Sequence, residues 1–138
     1  MNRNVEGKPW ASIGVHKRPG GYSQIKLTLS ATVAYYLRLC VGDKVHLERG
    51  TGEHQGWVRV TKRKQVEDDG HTVTDSSRNC TNGNISVRVS GRFLALDEPH
   101  KTERFPDVVP IDQDGRRYVA MELPAWANRE EAFNPWHS

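Results

Sequence analysis

Residues 25–48 read as a strand (Ile-Lys-Leu-Thr-Leu-Ser), a short helix (Ala-Thr-Val-Ala-Tyr-Tyr-Leu-Arg) and a second strand beginning Val-Gly-Asp-Lys-Val, and a worn copy recurs about sixty residues later. Sliding Ser12 and Ile13 by sixty places them on Thr72 and Val73, and sliding residues 25–30 places them on Ile-Ser-Val-Arg-Val-Ser at 85–90. With a few residues inserted, 43–48 matches 107–112 and 57–61 matches 118–122. An internal repeat constrains the fold more than any local propensity does. Two copies are too few for a solenoid. The pattern predicts one mainly β domain with short helices over 1–138: a closed pseudo-twofold β-barrel of two β-β-α-β-β repeats, 10–61 and 71–123, with a tail at 124–138.

The local signals agree with that order. Residues 10–16 alternate loosely as a first strand, and Arg18-Pro19-Gly20-Gly21 is a turn. Ile25, Leu27 and Leu29 then share one strand face, with Lys26 and Thr28 on the other. Ser30 is a helix N-cap, and the helix runs to about Leu39 with Val33, Ala34 and Leu37 on the face that plugs the barrel. Gly42-Asp43 turns the chain into a strand with Val45 and Leu47 inward. Residues 50–56 form a hairpin loop before the strand at 57–61. In the second half the helix shrinks to one turn at 91–96, and 99–106 reads as an inserted loop. Residues 108–111 form a strand at an edge or bulge because Pro110 cannot donate to a ladder, 116–123 is the last strand, and the tail makes a short helix.

The segment 25–47 resembles the AbrB/SpoVT family of swapped-hairpin transcription factors, through Leu27-Thr28-Leu29-Ser30, the helix ending Leu37-Arg38-Leu39, and Val41-Gly42-Asp43-Lys44-Val45. Gly42-Asp43 is similar to the Gly-Asp corner of cradle-loop barrels more broadly. There glycine permits the tight bend, and the carboxylate accepts backbone N–H groups to hold the next strand. The resemblance implies a cradle-loop barrel and a DNA-binding regulator without a cofactor. It implies basic residues presented on one face: Lys17, Arg18 and Lys26 at the first hairpin, Arg38 at the helix end, the cluster Lys62-Arg63-Lys64, and Arg78, Arg88 and Arg92 in the second copy. Such cations neutralise phosphates and release counterions. Family members complete the barrel by dimerising. A homodimer is expected here because twofold half-sites favour it and because an exposed Tyr36 and the tail aromatics need a partner surface.

Composition bounds the alternatives. Twenty Lys and Arg against 17 Asp and Glu give a net charge of +3, which permits nucleic-acid binding and argues against an acidic DNA mimic. No stretch approaches the roughly 18 apolar residues of a membrane span, and the polar start is no signal peptide, so a cytoplasmic protein is expected. Cys40 and Cys80 form no metal or disulfide pattern, and the six histidines show no ligand spacing. Without a nucleophile tied to a base, a P-loop or a dinucleotide glycine pattern, no enzyme is expected. The competing reading is a protein-interaction module, phage- or mobile-element-encoded, that grips a host protein through its four Trp and its Tyr residues.

Overall fold

Period-two alternation of apolar and polar residues carries most of the chain into strands. The computed structural model describes residues 8–19, 23–50, 52–63, 70–75, 83–94, 96, 98–128 and 135–136. Its strands are β1 (Ala11–His16), β2 (Gln24–Leu29), β3 (Lys44–Gly50), β4 (Trp57–Lys62), β5 (His71–Asp75), β6 (Ile85–Ser90), β7 (His100–Arg104), β8 (Val108–Gln113), β9 (Arg116–Glu122) and β10 (Pro135–Trp136). They form one sheet in the order β7-β1-β2-β6-β5-β3-β4-β9-β8. Neighbours along that path are antiparallel, while β10 lies parallel to β3. The two end strands, β7 and β8, are separated in the chain by only residues 105–107, so the sheet curls like a barrel wall.

The concave side is the core. Ile13, Ile25, Leu27, Leu29, Val45, Val58, Val60, Val73, Val87, Val119 and Met121 are all essentially inaccessible. Each such side chain contributes about 1.5–3 kcal/mol relative to exposure. The expected inward set on β2 and β3 is found buried, and Pro110 lies on the end strand β8, where a missing donor costs little.

One α-helix, α1 (Ala31–Leu37), packs Ala31, Val33, Ala34 and Leu37 inward against β9 and β2. Ser30 caps it as expected: its Oγ accepts from the Val33 N–H at 3.3 Å and also from the Trp10 N–H at 3.1 Å, tying the helix start to the chain before β1. The helix stops two residues earlier than the sequence suggests. Arg38 adopts a left-handed conformation (φ 58°), its N–H donating to the Tyr35 carbonyl while the Leu39 N–H reaches back to Ala34. Those two reversed bonds form the usual helix-ending motif, which buries Leu39, but an arginine stands where glycine is favoured.

At the following corner Gly42 takes φ 98°, and its N–H donates to the Val73 carbonyl at 2.9 Å. The Val73 N–H in turn donates to the Asp43 carbonyl at 2.8 Å. The Asp43 carboxylate accepts from the Cys40 N–H, so it braces the loop behind the corner rather than the strand ahead.

The largest departure is β7. Residues 99–106 do not form a loop: Ser12 pairs with Arg104 and Ile13 with Glu103, with an irregularity before Val15 meets His100. Its sequence, His-Lys-Thr-Glu-Arg, is polar throughout and mostly exposed, so it carries no apolar alternation to read. The ladder of β1 holds it in place. The second-half helical turn is a 3-10 turn at Gly91–Leu94, and the tail helix is a single 3-10 turn at Ala125–Ala127.

The left-handed Arg38 yields a test. Arg38→Gly relieves a backbone conformation that costs a non-glycine residue about 1 kcal/mol, so it should stabilise the protein by about 0.5–1 kcal/mol. Urea unfolding followed by circular dichroism measures this; a lower midpoint would show that the Arg38 side chain contributes more than its backbone costs.

Candidate nucleic-acid interface

The expected basic residues fall into two groups on different elements. The first surrounds the β1–β2 hairpin and β6. Lys26 stands directly opposite Arg88 in the β2–β6 register, and the Arg88 side chain is exposed and donates from Nη1 to Thr74 Oγ1 at 3.2 Å. Arg18 and Arg88 line a cleft of about 460 Å³ together with Ser23, Gln24, His71 and Ser90. Lys17 is exposed at the end of β1. Arg92 is exposed one residue beyond Gly91, whose N–H bonds Ser23, and its own N–H donates to Ser90 Oγ. Like charges directly opposed on neighbouring strands repel. Lys26 beside Arg88, with Arg18 lining the same cleft as Arg88, therefore places three cations close together at one end of the sheet.

The second group gathers where α1 ends and β9 begins. Arg38, Lys62 and Arg63 line a cleft of about 490 Å³ together with Arg116 and Arg117, which the sequence reading did not select. Tyr36 and Asp112 also line it. The tight turn Asp114-Gly115, both at positive φ, joins β8 to β9 and delivers the two arginines to this position. The cations are held by backbone oxygens: Lys62 Nζ donates to Arg38 O at 3.1 Å, Arg116 Nη2 to Lys62 O at 3.1 Å, and Arg117 Nη1 to Tyr36 O at 3.0 Å. The Arg117 guanidinium lies 4.9 Å from the Tyr36 ring centroid, and that of Arg116 lies 5.8 Å from the Tyr118 ring. Among the described residues two carboxylates stand against these five cations: Asp112 in the cleft, and Asp43 at 3.6 Å from Lys62 Nζ.

The clefts are neighbours. His71 lines the first and pairs with Val45 of β3, while the Arg63 N–H donates to Lys44 O, one residue away. Lys64 and Arg78 lie outside the described residues.

Searches of family models, of curated proteins and of solved structures find no match to this chain.

Two other arginines are interior. Arg59 is 7% exposed, its Nε 2.6 Å from Glu48 Oε1 and its guanidinium 4.3 Å above Tyr118, while Arg49 is 3% exposed with Nη2 3.4 Å from Asn128 Oδ1. They hold β3, β4 and the chain after β9 together and lie apart from the two clefts. The expectation of an exposed Tyr36 is corrected: Tyr36 is half-buried beneath Arg117, and Tyr35 is the exposed ring, at 70%. The histidines scatter, His16 exposed on β1 and His100 stacked on Trp126 at 3.6 Å. Among the described residues no helix is long and apolar enough to cross a membrane.

The cleft cations differ in what they do for the fold. Arg117→Ala removes a bond to a helix-terminal carbonyl and a ring contact, and should cost about 1 kcal/mol. Arg63→Ala breaks none of the bonds described above and should stay within about 0.5 kcal/mol of the parent. Paired urea midpoints check the difference.

Proposed function

We propose that this chain is a DNA-binding regulator of the AbrB/SpoVT-like, internally duplicated cradle-loop type, gripping duplex phosphates with the face centred on Lys26 and Arg88. The strand registers support the duplication. In the β2–β6 pair, Leu27 stands opposite Val87, and these residues are sixty apart in sequence. The pairs Ser12–Arg104 and Thr72–Lys44 interconvert by the same slide of sixty. In the β4–β9 pair Arg59 stands opposite Ala120, the midpoint of the matched stretches 57–61 and 118–122. Pairs of this kind are what a twofold axis through the barrel produces. These pairs set Lys44 against Arg104, a slide of sixty, whereas the sequence match of 43–48 with 107–112 is a slide of sixty-four.

The observation that carries the DNA reading is the opposed Lys26–Arg88 pair beside the Arg18-lined cleft. A like-charge cross-strand pair lowers stability and gains from an anionic partner, and a duplex supplies a row of phosphates. Lys17 and Arg92 extend the same end of the sheet. The fluorescence anisotropy of a labelled random duplex should show binding at low salt. With about four phosphate contacts, affinity should fall roughly a hundredfold between about 50 and about 200 mM salt. The double variant Lys26→Ala/Arg88→Ala should weaken binding and flatten the salt slope by about two contacts' worth. Absence of binding by the parent at low salt would remove the reading.

The second reading, a surface for another protein chain, rests on Tyr35 at 70% and Val41 at 52% exposure, both flanking the end of α1. A second copy of this chain is the first partner to test. Light scattering at micromolar concentration should give a dimer mass for the parent and a monomer mass for Tyr35→Ser; a monomeric parent would end the self-association form of that reading.

A further inference from the structure

We infer that the cleft between the end of α1 and the start of β9 is a preorganised site for an oligophosphate group, separate from the Lys26–Arg88 face and not resting on it. The first support is charge. Among the described residues, five cations meet here against two carboxylates, Asp112 and Asp43. One explanation is that the cations cap the helix C-terminus, whose carbonyls attract positive charge. That accounts for Lys62 on Arg38 O and Arg117 on Tyr36 O. Among the described contacts it does not account for Arg38 and Arg63, and the Arg116 Nη2 bond goes to the end of β4.

The second support is order. Backbone carbonyls and the Tyr36 and Tyr118 rings fix Arg116 and Arg117 before any ligand arrives. A guanidinium presents five N–H donors, and the bond from Arg117 to Tyr36 O uses one of them. Arginines fixed in this way lose little freedom on meeting an anion, and their planar fork suits phosphate oxygens.

The third support is Arg38. A left-handed arginine lining a cationic cleft keeps its charge there at a conformational cost that glycine would avoid. Arg38 at the helix end, Lys62 and Arg63 at the end of β4, and Arg116 and Arg117 at the start of the neighbouring β9 line one cleft of about 490 Å³. That is the scale of a small-ligand site, roughly 300–1,000 Å³. Five cations along one cleft suit a ligand with several linked phosphates better than a single phosphate. The chemistry is shared by a free oligophosphate, such as the chain of a nucleoside triphosphate, and by consecutive phosphates of a nucleic-acid strand.

The test is calorimetric titration of the full chain with sodium tripolyphosphate at constant ionic strength, with sodium sulfate as the matched control. Saturable binding is expected, with sulfate at least tenfold weaker. Arg116→Gln/Arg117→Gln should weaken tripolyphosphate at least tenfold. Because that variant removes a helix-terminal bond, Arg38→Gly serves as the second: it should bind at least threefold more weakly while melting no lower than the parent. Lys26→Ala/Arg88→Ala should bind tripolyphosphate as the parent does, even where it loses duplex. A single-stranded oligonucleotide that displaces tripolyphosphate from Lys26→Ala/Arg88→Ala assigns the site to a nucleic-acid strand, and one that does not assigns it to a free oligophosphate. Absence of saturable heat with the parent, equal binding of sulfate, unchanged affinity in a folded Arg38→Gly, or loss of tripolyphosphate with Lys26→Ala/Arg88→Ala would each overturn the inference.

Discussion

Two backbone hydrogen bonds, from Gly42 to Val73 and from Val73 to Asp43, join the first half of the chain to the second. Through them β3 lies beside β5, and without that junction the sheet order breaks between β5 and β3. The same corner sets the basic cleft. Asp43 accepts from Cys40 and faces Lys62, and Lys62 reaches the Arg38 carbonyl, so the bend that sets β3 beside β5 also holds Lys62 at the basic cleft. Architecture and charge are therefore one problem at this place. A change that loosened the corner would disperse the cleft before it exposed the core.

The arginines show how one residue type serves three physical ends. Arg59 and Arg49 lie in the interior and are paired, Arg59 with a carboxylate and a ring, as a buried charge requires. Arg117 is a structural donor that keeps a half-buried ring company. Arg88 and Lys26 stand opposite each other on neighbouring strands, a like-charge pair that repels. Net charge alone cannot separate these cases. Their placement on the curled sheet does.

Much of the strand framework was legible because period-two alternation is strong where one face is buried, as along Ile25, Leu27 and Leu29, and because Ser30 and Gly42-Asp43 punctuate the helix at both ends. β7 was not legible, since it borrows its hydrogen bonds from β1 and buries almost nothing of its own. The helix end was misjudged for a related reason: a left-handed arginine gives no signal of the kind a glycine gives. Of the basic residues, Arg38, Lys62 and Arg63 were chosen from local context. Their partners Arg116 and Arg117 come from the far end of the chain, and their role appears only when β9 lies beside β4. The one available hint was Asp114-Gly115, a tight-turn pair that marks Arg116 as the first residue of a returning strand.

β7 and β8 sit at opposite ends of the strand order yet are almost consecutive in the chain. This has a consequence for how the molecule assembles. The β1–β2, β3–β4 and β8–β9 hairpins close short loops and can form within microseconds. Pairing β1 with β7 spans nearly ninety residues and carries a larger loop-closure cost. Once β9 has docked on β4, however, β8 is already placed and β7 is tethered to it by residues 105–107, so the last long-range contact becomes a local search. The bend at Pro106 thus turns the slowest step of a sheet of this topology into one governed by a three-residue tether.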